Sequence, residues 1–149
     1  MRLADILSAN RVTVSLSVGD KSATLRALAE LFLDDVEGID AERIAEVFEE
    51  REALASTGVG SGVAIPHGRI DGVPNLLAAV GIVRDGVEFE SIDGQPATII
   101  VALLGPKNLD HLKALARFSR ILRYESVRAA LVAAESPEAA LDVILAADR

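Results

Sequence analysis

The longest apolar runs in the sequence, Leu76–Val83 and Ile99–Leu104, are the length of strands, and that limits what the chain can build. Neither approaches the roughly 18 residues of a membrane span, so direct membrane insertion is not expected. Segments of helical period stand on both sides of them. Lys21–Phe32 repeats Leu25, Leu28, Ala29, Leu31 and Phe32 at helical spacing. After Gly38, Asp40 is placed to cap a helix that ends near Arg51, with Ile44, Val47 and Phe48 on one face and Glu42, Glu46, Glu49 and Glu50 on the other. Near the C-terminus, Leu109–Leu122, Glu125–Ala134 and a segment opened by Ser136-Pro137-Glu138 read as three more helices. Arg11–Leu16 alternates as a half-buried strand, and Leu3–Ser8 reads as a short opening helix. Leu77–Val83 and Val87–Phe89 read as a hairpin turning at Asp85-Gly86, and Thr98–Leu104 as a further strand. The expectation is an α/β fold: a single-domain sandwich over 1–149, with a mixed β-sheet flanked by helices.

Composition narrows the function. Half of the 149 residues are hydrophobic, which suits a packed core and not disorder. There is no cysteine, which removes disulfides, thiolate metal sites and thiol catalysis together. MRLADILSAN carries an early acid and no apolar stretch leading to a cleavage site, so it does not read as a signal peptide, and a cytoplasmic location is expected. A net charge of −8 speaks against a nucleic-acid partner, because phosphate backbones are bound chiefly through Lys and Arg. A locally positive pocket is still compatible with that charge, and the remaining surface can attract a basic partner.

One segment breaks the regular pattern. In Ser56-Thr57-Gly58-Val59-Gly60-Ser61-Gly62 three glycines alternate, and Val63-Ala64-Ile65-Pro66-His67-Gly68 follows. Glycines this dense mark close backbone approach or positive φ. Amides around Gly58, Gly60 and Gly62 are expected to converge on an anion. Pro66 stiffens the approach to His67, and Gly68 is expected to leave space for a bulky ligand. Histidine acts as a covalent nucleophile when one ring nitrogen is bare and the other is held protonated, usually by a carbonyl. Phosphoryl transfer then needs little beyond positioning and donors for the oxygens. The alternative for His67 is a turn residue whose ring is hydrogen-bonded and inert.

The stretch EALASTGVGSGVAIPHG, Glu52 to Gly68, resembles the active-site signature of the enzyme IIA components of the bacterial phosphotransferase system, in the fructose, mannitol and nitrogen-regulatory class. Length, helix order and a second histidine extend the resemblance along the chain. It implies that His67 is the phosphorylated residue, taking phosphate from an HPr-like phosphohistidine protein and passing it to a IIB component or using it as a regulatory signal. It also implies that His111 is a second, unphosphorylated histidine that steadies the phosphoryl group, and that Arg51 lies near the site. Ser56 and Thr57 fall where loop hydroxyls line it. No cofactor is implied.

His111 follows Asn108-Leu109-Asp110 and should stand in the first turn of a helix, where the dipole favours anions and neutral imidazole; an exposed first-turn residue is the alternative. Arg51 offers a planar fork for phosphate oxygens, against the alternative of a solvated charge at a helix end. A dinucleotide or P-loop reading of the glycines fails, since Val63-Ala64-Ile65-Pro66 does not open a helix and no Walker lysine follows. No tight histidine–carboxylate spacing suggests a metal. Two functions remain open: a relay subunit serving sugar uptake, and a nitrogen-type regulator whose phosphorylation state controls what it binds.

Overall fold

A computed structural model describes residues 1–107 and 111–149. A single-turn 3-10 segment, Leu3–Asp5, stands in place of the opening helix expected over Leu3–Ser8, and a second, Ala9–Arg11, follows it. They lead into β1 (Val12–Thr13), shorter than the alternation suggested, although the Leu16 amide still bonds to Ile82 O. Helices α1 (Lys21–Glu30) and α2 (Ala41–Glu52) follow, each capped by an aspartate: Asp20 accepts from the Ala23 amide and Asp40 from the Arg43 amide. The chain then lays down β2 (Gly58–Gly60), β3 (Val63–Ala64), β4 (His67–Arg69), β5 (Leu77–Val87) and β6 (Ala97–Gly105). It closes with α3 (His111–Leu122), α4 (Glu125–Ala133) and α5 (Pro137–Ala147), the last capped by Ser136 with Pro137 in its first turn. Residues Asn108, Leu109 and Asp110, the expected lead into α3, lie outside the described residues.

The six strands form one mixed sheet in the order β1-β5-β6-β3-β2, with β4 also on β6. β5 and β6 are antiparallel, and β3 and β4 run parallel to β6, one after the other along the same flank. Successive side chains of a strand point to opposite faces, and here both faces are covered. Val80, Ile82, Val101 and Leu103 pack under α3 and α5 with Phe118, Ile121 and Ile144. Ala79, Ile100, Ala102 and Leu104 pack against α1 and α2 with Leu25, Leu28, Ile44 and Phe48. This is the sandwich expected from the sequence.

The expected hairpin at Asp85-Gly86 does not form. β5 runs through it to Val87, with the register against β6 shifting between Ile82 and Val87. Arg84, just before the expected turn, has its guanidinium tied to the carbonyls of Val14, Val132 and Ala134, which anchors this stretch of β5 to its neighbours. Gly86, at φ 78°, supplies the irregularity and packs on Pro96.

Between β3 and β4 the ladder is interrupted by Ile65-Pro66, because proline has no amide to donate. The Pro66 carbonyl nevertheless accepts the Leu103 amide at 2.9 Å, and the Ile65 amide turns to Thr57 O at 3.1 Å. His67 therefore emerges at the start of a new strand on a rigid base.

Candidate active site

The C-terminal turn of α2 delivers Arg51 and Glu52 to the flank of β4. Arg51 Nε lies 3.2 Å from His67 Nε2, and Arg51 Nη1 donates to Ala55 O at 2.9 Å. On the other side of the ring, His67 Nδ1 lies 3.1 Å from Ile65 O. A carbonyl only accepts, so Nδ1 carries the proton; a guanidinium only donates, so Nε2 presents its lone pair. The two contacts demand the same tautomer.

The ring is half-buried in an open cleft of about 360 Å³ whose described walls are Val47, Glu50, Arg51, Leu54, Gly68 and Arg69. Burial is the main influence holding the His67 pKa below the ordinary 6.5; Arg51 and Arg69 push the same way, while the Ile65 carbonyl and Glu52 oppose them. The imidazole is thus neutral near pH 7, beside two arginines that repel a proton and attract an anion.

Gly68 lines this cleft for a different reason from the one expected. A Cβ there would overlap Val47 Cγ1 and come within 3.3 Å of Phe48, so its lack of a side chain lets α2 press onto β4. The consequence for the site is that the end of α2, and Arg51 with it, comes close enough to reach the ring.

His111 is the first described residue of α3 and is 1% exposed, which removes the reading of an exposed residue. Its Nε2 donates to Pro106 O at 3.2 Å. A Cβ on Gly105 would lie 3.5 Å from that same nitrogen. His67 is in register with Leu103 and Arg69 with Gly105. Paired residues share a sheet face, so both histidines stand on the α3 side, one step apart along β6.

The remaining loop residues have local partners. Ser56 is occupied locally, its Oγ donating to Phe89 O at 2.5 Å and accepting the Gly58 amide at 3.0 Å. Gly58 packs so tightly on Ser91 that any Cβ would overlap it. Gly60 and Gly62, at φ 95° and 79°, shape the β2–β3 hairpin, whose Ser61 amide bonds to Asp93 at 2.9 Å. Of the three glycine amides expected to converge on an anion, that of Gly58 is taken by Ser56 Oγ, while Gly60 and Gly62 serve the hairpin and its close packing. Thr57 is buried, its amide bonded to Glu52 Oε1 at 3.1 Å.

Arg69 and Glu52 were not singled out from the sequence as site residues. Arg69 had a signal: two residues beyond His67 in an extended segment, it had to share the histidine's face. Among the described residues no cluster of three or more metal-ligating side chains occurs, and no helix is long and apolar enough to cross a membrane.

Comparison with known proteins converges on one family. Residues 5–147 match the family model described as "Phosphoenolpyruvate-dependent sugar phosphotransferase system, EIIA 2". The chain is 34% identical over 146 residues to a nitrogen regulatory protein of Bradyrhizobium diazoefficiens, covering 97% of this chain and 95% of that one. It is 33% identical over 146 residues to the fructose-specific EIIABC component of Bacillus subtilis, covering 97% of this chain but 23% of that longer protein. In structure it resembles the nitrogen regulatory protein IIA-Ntr of Neisseria meningitidis, with a TM-score of 0.89 and 30% identity over 95% of this chain and 98% of that one.

Proposed function

The chain belongs to the EIIA 2 family of the phosphoenolpyruvate-dependent sugar phosphotransferase system, and from that premise we propose that it carries a phosphoryl group on His67 Nε2. The observation that supports this most is the fixed tautomer, with Nδ1 held by Ile65 O and Nε2 turned to Arg51 in an open cleft. In the transfer, the Nε2 lone pair forms a new N–P bond as the N–P bond of an HPr-like phosphohistidine donor breaks. The electron pair of the broken bond returns to the donor imidazole, and each ring keeps the proton on its other nitrogen. The Arg51 guanidinium, displaced from Nε2 by phosphorus, takes phosphoryl oxygens through its remaining donors. Arg69 adds charge on the cleft wall. His111 steadies the phosphorylated state from the α3 side, and Thr57 holds the loop. Of the remaining sequence candidates, Gly68 acts by admitting α2, while Ser56, Gly58, Gly60 and Gly62 shape the loop.

The carrier works in the cytoplasm, where phosphoenolpyruvate and the relay proteins are found. The test is to incubate the protein with phosphoenolpyruvate, the general enzyme I and an HPr-like carrier, and to weigh it intact. One acid-labile phosphoryl group is expected on the wild type and none on His67→Ala. Labelling of His67→Ala at the wild-type rate would contradict the assignment.

Onward transfer has two readings. A IIB component would accept the phosphate if the protein serves sugar uptake, as the likeness to the fructose-specific component suggests. A regulatory role, in which phosphorylation controls protein binding and no sugar is involved, is favoured by likeness over nearly the full length of a nitrogen regulatory protein. Adding a sugar-specific IIB to the labelled protein separates them: transfer at catalytic rates supports uptake, and retention of the label supports regulation.

A further inference from the structure

Both nitrogens of His67 can be traced back through hydrogen bonds to one buried carboxylate. Glu52, the last residue of α2, is 9% exposed, and its Oε1 accepts the Thr57 amide at 3.1 Å. That bond closes the turn 52–57. Inside the turn the Ala55 carbonyl receives Arg51 Nη1 at 2.9 Å, while Arg51 Nε reaches His67 Nε2 at 3.2 Å. From the same Thr57 a second path begins: its carbonyl accepts the Ile65 amide at 3.1 Å, and the Ile65 carbonyl faces His67 Nδ1 at 3.1 Å.

A carboxylate this buried is costly unless its charge is compensated. Lys21, the first residue of α1, compensates it, with Nζ 2.8 Å from Glu52 Oε1. The same ammonium lies 4.9 Å from the centre of the Phe89 ring and 3.4 Å from Glu90 Oε1. The Phe89 carbonyl in turn accepts the Ser56 hydroxyl. The start of α1, the end of α2, the turn and the segment at Phe89 thus meet at one ion pair.

We propose that Glu52, neutralised by Lys21, is a positioning residue for phosphoryl transfer: by holding the Thr57 amide it sets the aim of Arg51 and the tautomer of His67 at once. This rests on the carrier reading given above. It assigns Glu52 no contact with the phosphoryl group. What matters is an acceptor oxygen at Oε1, so glutamine should replace glutamate once the lysine charge is also removed.

The test compares Lys21→Met/Glu52→Gln with Lys21→Met/Glu52→Ala, alongside the wild type. Because neither double variant leaves a charge buried alone, both are expected to fold, as checked by circular dichroism. The glutamine variant should be labelled by the phosphorylated HPr-like donor within about threefold of the wild-type maximal rate. The alanine variant should lose about tenfold or more in maximal rate, at an unchanged half-saturating donor concentration. Nitrogen NMR of the His67 ring should show the Nδ1–H tautomer in the wild type and the glutamine variant, and a mixture in the alanine variant. Equal maximal rates and equal tautomers in the two double variants would overturn the proposal, as would a loss confined to the half-saturating concentration. A wild type that is never labelled, yet shows the tautomer difference between variants, would overturn the carrier reading and with it the role in transfer, while leaving the control of the His67 tautomer by Glu52 in place.

Discussion

The chemistry of His67 follows from what its two nitrogens touch. A carbonyl on one side and a guanidinium on the other leave one neutral tautomer, and burial resists protonation. Its titration should therefore have a midpoint below the ordinary 6.5, measurable by NMR of the ring. The sign for stability follows. An unfolded chain takes the proton first, so the stability contributed by the neutral ring is complete above 6.5 and declines as the pH falls from there toward the folded value. Acceptor activity should persist into the pH range in which a free histidine is already charged. A midpoint at or above 6.5 would contradict this electrostatic account. His111 is different in kind, being buried and bonded to Pro106 O. His111→Ala should still be labelled but pass its phosphate onward markedly more slowly, and should be less stable by about 2–4 kcal/mol because a buried ring is lost. Unchanged onward transfer would remove its proposed role.

Among the elements, α2 and β4 carry the site between them, and their approach is set by Gly68. Gly68→Ala should cost about 1–3 kcal/mol, read from the urea midpoint, because Val47 and Phe48 must move. It should also slow labelling by shifting Arg51; a variant with unchanged stability would show that the helix does not pack as described. Local signals made some elements legible in the sequence. The caps Asp40 and Ser136 fix where α2 and α5 begin, and the capping bond lies within three residues of itself. The bulge in β5 was not legible, because Asp85-Gly86 looks like a turn until Arg84 is seen reaching carbonyls up to 70 residues away in sequence. At the site, the family resemblance brought His67 and, just before the signature, Arg51 forward, and the structure sets them 3.2 Å apart; a carbonyl on the second ring nitrogen was expected from the chemistry and Ile65 supplies it. That Gly58, Gly60 and Gly62 serve packing could not be read, since their neighbours Ser91, Asp93 and Thr98 come from a distant part of the chain.

At the scale of the whole molecule, the sheet separates two apolar layers and leaves the work to one flank. β6 is buried along its length except at Thr98, so it is a fixed reference against which β4 positions His67, and the Pro106 carbonyl just beyond its end bonds to His111. In a chain of net charge −8, the cleft brings Arg51 and Arg69 together beside His67, with Glu50 the one acid among its described walls. The fold thus holds His67 with a lowered pKa beside two arginines, and the proposed carrier role asks of that site that it take a phosphoryl group in place of a proton. The most direct measurement of that claim is phosphorus–nitrogen coupling in the labelled, ¹⁵N-enriched protein. The account predicts a single phosphorus bonded to Nε2 of His67, with the proton retained on Nδ1. Phosphorus on Nδ1, or on any residue other than His67, would contradict it.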